Sequence, residues 1–177
     1  MSVDELRNIL YVKYPAMEVV PIRHRDLVFE ERVRLKCFHC RNYQTKWTCP
    51  GKLPQFDFRK IIGEYDQMAV VINRQSNVSE AEGMKEAYRK VGNELHEALL
   101  HLEAELMKRN NPLAQSFIGG YCDLCKDGCP ADKCANPEQA RVSWDATGCN
   151  IVRSLANIGM HVVFGGKDVC RYGLMLW

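Results

Sequence analysis

Apolar residues at Met84, Tyr88, Val91, Leu95, Leu99, Leu102 and Leu106 recur at steps of three and four. That spacing paints one face of a helix about seven turns long. Ser79 and Glu82 read as a capping-box pair ahead of it, and Asn110-Asn111-Pro112 reads as its end. His96 and His101 sit five apart on this helix, a step that does not stack them on one face, and are expected at the surface. Residues 67–73 form a short continuous apolar run rich in branched side chains, the pattern of a buried strand. Residues 113–118 predict a second strand. Strand, long helix and strand make a βαβ unit, whose two strands are expected to be parallel neighbours with a right-handed crossover.

The remaining elements are shorter. Residues 3–13 predict a helix, and residues 17–22 a strand that Pro21 confines to a sheet edge. Residues 30–36 predict one or two helical turns leading into Cys37. Pro54 is placed to open a helix carrying Phe56, Phe58, Ile61 and Ile62. Pro137 is placed to start another, running to Thr147-Gly148, and residues 149–158 predict one more, stopped by Gly159. Residues 160–164 and 172–177 predict strands joined by a turn at Gly165-Gly166-Lys167-Asp168. The fold class is therefore α/β: one small domain over residues 1–177, with a sheet of about four strands, a βαβ unit and one long helix. Two cysteine-rich loops fall at the sheet's rim.

Composition adds bounds. A chain of 177 residues with 46% hydrophobic content can bury a core without staples. No apolar run approaches the ~18 residues of a membrane span, and the opening Met-Ser-Val-Asp-Glu-Leu carries no export signal. A cytoplasmic protein is expected, where thiols stay reduced. The net charge of +2 points to no class of partner. Arg32, Arg34, Lys36, Arg41, Lys46 and Lys52 gather around the first cysteines and read as a solvated face. No recognised nucleic-acid module accompanies them, which argues against RNA or DNA.

Seven of the nine cysteines fall into two clusters: Cys37, Cys40 and Cys49, then Cys122, Cys125, Cys129 and Cys134. Thiolates grouped this way among Gly and Pro wrap soft metal centres. Structural zinc usually shows two matched Cys-x-x-Cys knuckles. Here the second group steps by three, four and five and carries Cys129-Pro130, which favours iron–sulfur over zinc. The second group completes the ligand set of one 4Fe-4S cluster. The first supplies three ligands, leaving either an open iron or a fourth ligand from Cys149, Cys170 or His39; a site shared by both groups is the third arrangement. As lone thiols beside apolar segments, Cys149 and Cys170 read as buried small hydrophobes. Asp123, Asp127 and Asp132 read as loop-solvating or turn-forming residues. No dinucleotide fingerprint, Walker loop or nucleophile elbow is present.

Cys37-x-x-Cys40-x-x-Tyr43 with Trp47-x-Cys49-Pro50 resembles the first motif of a family of small predicted metal-binding proteins of anaerobic bacteria and archaea, classed as a domain of unknown function. Gly120-x-Cys122-x-x-Cys125-x-x-x-Cys129, then Cys134-x-x-Pro137, Ala140, Ser143 and Gly148, is similar to its second motif. The resemblance covers roughly residues 15–177. It departs at Gly51, where the family commonly has proline and a looser turn is expected, and at Ala135, where it usually has arginine. The resemblance implies metal binding, of iron–sulfur type, in anaerobic redox metabolism.

With one complete four-cysteine set, a basic rim and no visible substrate motif, the first expectation is an iron–sulfur electron carrier or accessory redox protein that docks a redox partner. An enzyme using the three-cysteine site as an open Lewis acid for dehydration or desulfuration is the second. A zinc-stabilised interaction module, or a metal chaperone as its variant, is the third.

Overall fold

Ser2 opens the chain's first helix with a reciprocal cap. Its hydroxyl accepts from the Glu5 N–H while the Glu5 carboxylate accepts from the Ser2 N–H. The computed structural model describes residues 1–79, 83–164 and 167–177. Helix α1 spans Val3–Lys13, strand β1 Glu18–Pro21, helix α2 Glu31–Phe38, helix α3 Phe58–Gly63 and strand β2 Met68–Gln75. Helix α4 spans Met84–Lys108, strand β3 Gln115–Phe117, helix α5 Ile151–Ala156 and strand β4 Val169–Leu176. No described helix is long and apolar enough to cross a membrane.

The four strands form one antiparallel sheet in the order β1-β2-β4-β3. Pro21 does lie on an edge strand, pairing with Ala69. Strand β2 pairs with β4 over eight positions, from Met68 opposite Leu176 to Gln75 opposite Val169. Strand β3 pairs with the other side of β4, Phe117 opposite Leu174. The expected βαβ unit is thereby corrected. Strands β2 and β3 run parallel because each is antiparallel to β4, but they are not neighbours, since the C-terminal strand inserts between them.

Period-two alternation along β2 feeds two cores. Ala69 and Val71 pack with Leu95, Leu99, Leu102 and Leu106 of α4 and Leu6 and Leu10 of α1. Met68, Val70 and Ile72 face Phe58, Ile62, Phe117, Trp144 and Leu155 on the opposite face. Helices thus cover both sides of the sheet.

Several local expectations need correction. Helix α3 begins at Phe58 rather than at Pro54, because the Asp57 side chain caps it by accepting from the Lys60 N–H at 3.0 Å. No α-helix runs from Pro137 to Thr147. Ile118 instead accepts from the Trp144 N–H at 2.8 Å and donates to Val142 at 3.0 Å, which holds that stretch extended, with only a 3-10 turn at Asp145–Thr147. Residues 160–164 are not a strand, because both edges of β4 are already taken. His96 is buried rather than superficial, its Nε2 bonded to the Gln139 carbonyl at 2.8 Å where residues 137–142 lie over α4. The Glu82 half of the expected capping box and the Gly165-Gly166 turn lie outside the described residues; Gly83 stands at the N-cap of α4.

Candidate metal centre

Helix α2 carries Cys37 in its last turn, and the chain then winds through turns to residue 53. The Cys40 N–H donates to the Cys37 carbonyl at 3.0 Å, the Cys49 N–H to Lys46 at 3.1 Å, and the Gln44 N–H to Pro50 at 3.2 Å. Gly51 makes this loop tight rather than loose. Its φ of +95° is closed to proline, and a Cβ there would fall 2.4 Å from Gln44 Cγ. The second cysteine loop leaves β3 through Gly119 and Gly120, where the backbone runs so close to β4 that a Cβ on Gly119 would meet the Tyr172 carbonyl at 2.4 Å. It returns at Ser143, which bridges Ile118. Its exit is clamped to α4 by Arg141, whose Nε donates to the buried Glu103 carboxylate at 2.8 and 3.0 Å.

The two loops dock on each other. Trp47 Nε1 donates to the Pro130 carbonyl at 2.9 Å, and Lys52 Nζ stands 4.2 Å from the Trp47 ring centroid. Lys46, expected on a solvated face, is buried instead. Its Nζ lies 3.7 Å from Asp123 Oδ1 and 5.0 Å from the Tyr121 ring centroid, and its charge reaches both Cys49 and Cys122. Asp123, expected only to solvate its loop, also pairs with Arg89 at 2.8 Å.

All nine cysteines are free thiols. Cys37, Cys40 and Cys49 line one cavity of 260 Å³ together with Lys36, Tyr43, Tyr121 and Asp145. Burial pushes the Cys49 thiol up to about 11, and Cys40 and Cys37 add to the rise. Burial likewise raises Cys37, with Asp145 and Cys40 contributing, and raises Cys122, with Cys129 and Cys134 contributing. Cys40 and Cys37 are therefore within electrostatic reach of Cys49, and Cys129 and Cys134 within reach of Cys122. Among the described residues, however, no three His, Cys, Asp or Glu side chains are drawn into a group that would hold a single metal ion. His39 is exposed and stacks edge-on against Phe38. Cys149 is fully buried, its Sγ 3.3 Å from Ser154 Oγ, as a small core residue should be. Cys170 is half-buried on β4.

Hydrogen-bond donors face sulfurs in both groups. The Asn42 N–H lies 3.5 Å from Cys40 Sγ, and Asn136 Nδ2 lies 3.3 Å from Cys125 Sγ. The Leu124 N–H favours the Cys122 thiolate. Thr48 Oγ1 is buried with no acceptor of its own and sits where it favours the Cys49 thiolate. A buried hydroxyl without a partner is costly, and a thiolate at Cys49 would satisfy it. The donor set thus fits a soft, thiolate-ligated centre, whose binding would have to draw the sulfurs together.

Lys46, Trp47, Thr48 and Asn136 were not singled out by spacing for these contacts. Each adjoins a cysteine motif, which was the available signal; nothing local marks Asp145, which reaches the cavity through the fold alone. No curated protein and no solved structure matches the chain. The model of one family, described as predicted metal-binding protein (DUF2284), matches residues 20–177. The chain belongs to this family of predicted metal-binding proteins.

Proposed function

We propose that this chain is an iron–sulfur protein that passes electrons, as a carrier or accessory redox component in anaerobic metabolism, to a partner protein. Cys122, Cys125, Cys129 and Cys134 would hold a 4Fe-4S cluster, and Cys37, Cys40 and Cys49 would serve a second centre. The observation that carries the reading is the set of donors facing sulfur on both loops: the Asn42 N–H, the Thr48 hydroxyl, the Leu124 N–H and the Asn136 amide. Such donors lower the negative charge on ligating sulfur and raise a cluster's potential. Buried Lys46, in the field of Cys49 and Cys122, adds a fixed positive charge where thiolate-ligated centres carry negative charge.

The 260 Å³ cavity lined by the three-cysteine group supports a second reading, in which that centre keeps an open position for a small molecule. Anaerobic purification followed by an optical spectrum and iron and sulfide counts tests both readings. A broad visible band bleached by dithionite is expected, with Cys49→Ala removing only part of the iron. A colourless protein holding zinc overturns both. Electron paramagnetic resonance signals of the reduced protein that shift on adding small molecules would favour the second reading over the first.

A further inference from the structure

A second cavity, of 220 Å³, adjoins the three-cysteine cavity, and Gly120 and Asp145 line both. Arg171 of β4 stands at this junction. A Cβ on Gly120 would meet its guanidinium nitrogen at 2.9 Å, so glycine leaves the room it occupies. Its Nε donates to the Tyr88 carbonyl at 3.4 Å, and its Cζ lies 4.9 Å from the Tyr88 ring centroid. Among the described residues no carboxylate lies within ion-pair distance of it, although the charge of Asp145 reaches it. Arg171 is half-buried, its fork is engaged by no carboxylate, and a carboxylate fits that fork in two parallel bonds. The walls beyond it are apolar: Ile151, Val162, Val163 and Phe164. The volume lies below the ~300 Å³ at which pockets for drug-sized ligands begin, so the occupant is small. Asp145 also lines the cleft, and although burial raises its pKa, whatever negative charge it keeps opposes a doubly charged anion such as phosphate more than a singly charged carboxylate.

We propose that this cleft binds a small organic monocarboxylate, with its carboxylate on Arg171 and its apolar body between Val162, Val163 and Phe164. The binding does not rest on the iron–sulfur reading; where the open-site reading holds, the ligand lies beside the three-cysteine centre and names its substrate class.

Isothermal titration of the full chain with benzoate, benzamide and inorganic phosphate tests this, with iron counted separately on the same preparation. Benzoate is expected to bind saturably, and benzamide and phosphate at least about tenfold more weakly. Arg171→Gln is expected to weaken benzoate about tenfold or more. Val163→Asp, at a position 84% exposed and so harmless to the core, should weaken benzoate about threefold or more by like-charge repulsion, and it decides the matter should Arg171→Gln fail to fold. No benzoate binding, equal binding of benzamide or phosphate, or benzoate affinity unchanged in Val163→Asp overturns the proposal. An iron-free chain that binds benzoate refutes only the iron–sulfur reading.

Discussion

Replacing Glu103 by leucine isolates the clamp on which the second cysteine loop rests. The carboxylate accepts from Arg141 Nε at 2.8 and 3.0 Å, from Arg141 NH2, and from the Ser116 N–H at 2.7 Å. The Glu103 and Arg141 side chains are only 11% and 15% exposed, and Ser116 is fully buried. Removing one partner of a buried pair costs about 3–5 kcal/mol, and an orphaned buried N–H about 1–3 kcal/mol. These costs overlap, and Arg141 keeps the Glu138 and Ala140 carbonyls, so about 4 kcal/mol is the expected loss. For a chain of this size that lowers Tm by about 8–16 °C, measurable by circular dichroism melting. Hydrogen exchange should quicken over residues 137–142. Adding Arg141→Met removes the stranded cation, so the double variant should be more stable than Glu103→Leu alone. A single-variant loss under about 1 kcal/mol, or a double variant less stable than the single, would refute the reasoning.

Three further outcomes are expected. In metal-free protein at pH 8, the Cys49 and Cys149 thiols, pushed up to about 11 by burial, are about 0.1% thiolate; mass spectrometry should find iodoacetamide labelling exposed Cys40 well before either, and equal rates would contradict the assigned burial. Burial lowers the proton affinity of His96, and of His101, below the ordinary value of 6.5. The unfolded chain then binds more protons in that window, so stability is full above about pH 6.5 and falls as pH drops through the lowered folded values; a Tm that does not fall between pH 7 and 5.5, or a His96→Gln variant falling as steeply as wild type, counts against it. Trp47→Phe removes the donor to the Pro130 carbonyl and should cost about 1 kcal/mol by urea melting, with whatever metal the protein holds lost faster to a chelator than from wild type.

What could be read from the sequence was whatever depends on near neighbours. The α4 stripe, the buried β2 run and the edge position of β1 each rest on local periodicity or on one proline, and each stands. What failed depended on partners far along the chain. Residues 137–147 carry a plausible helix start at Pro137, but Ile118 and Glu103 hold them extended. Residues 160–164 look like a strand, but β4 has no free edge for them. The order of β2, β4 and β3 follows from where the last eight-residue strand inserts, which no window along β2 or β3 contains. Lys46 was counted with its basic neighbours because charge alone is visible in a sequence; its burial comes from Asp123 and Tyr121, more than seventy positions away.

The two cysteine loops, far apart in sequence, meet because one short segment serves both. The second loop closes where Val142 and Trp144 grip Ile118, and within five residues the chain reaches Cys149, which bridges Phe29 just ahead of α2, while the Glu30 N–H donates to the Gly148 carbonyl at 2.9 Å. Helix α2, carrying Cys37, is thereby fixed to the exit of the loop carrying Cys122 to Cys134. Asp145 lies within that connection and lines both cavities. A change that shifts residues 142–149 must therefore move the first cysteine group relative to the second, and the floor of the Arg171 cleft with them. The pairing of the two groups is thus a property of this connection rather than of either cysteine motif.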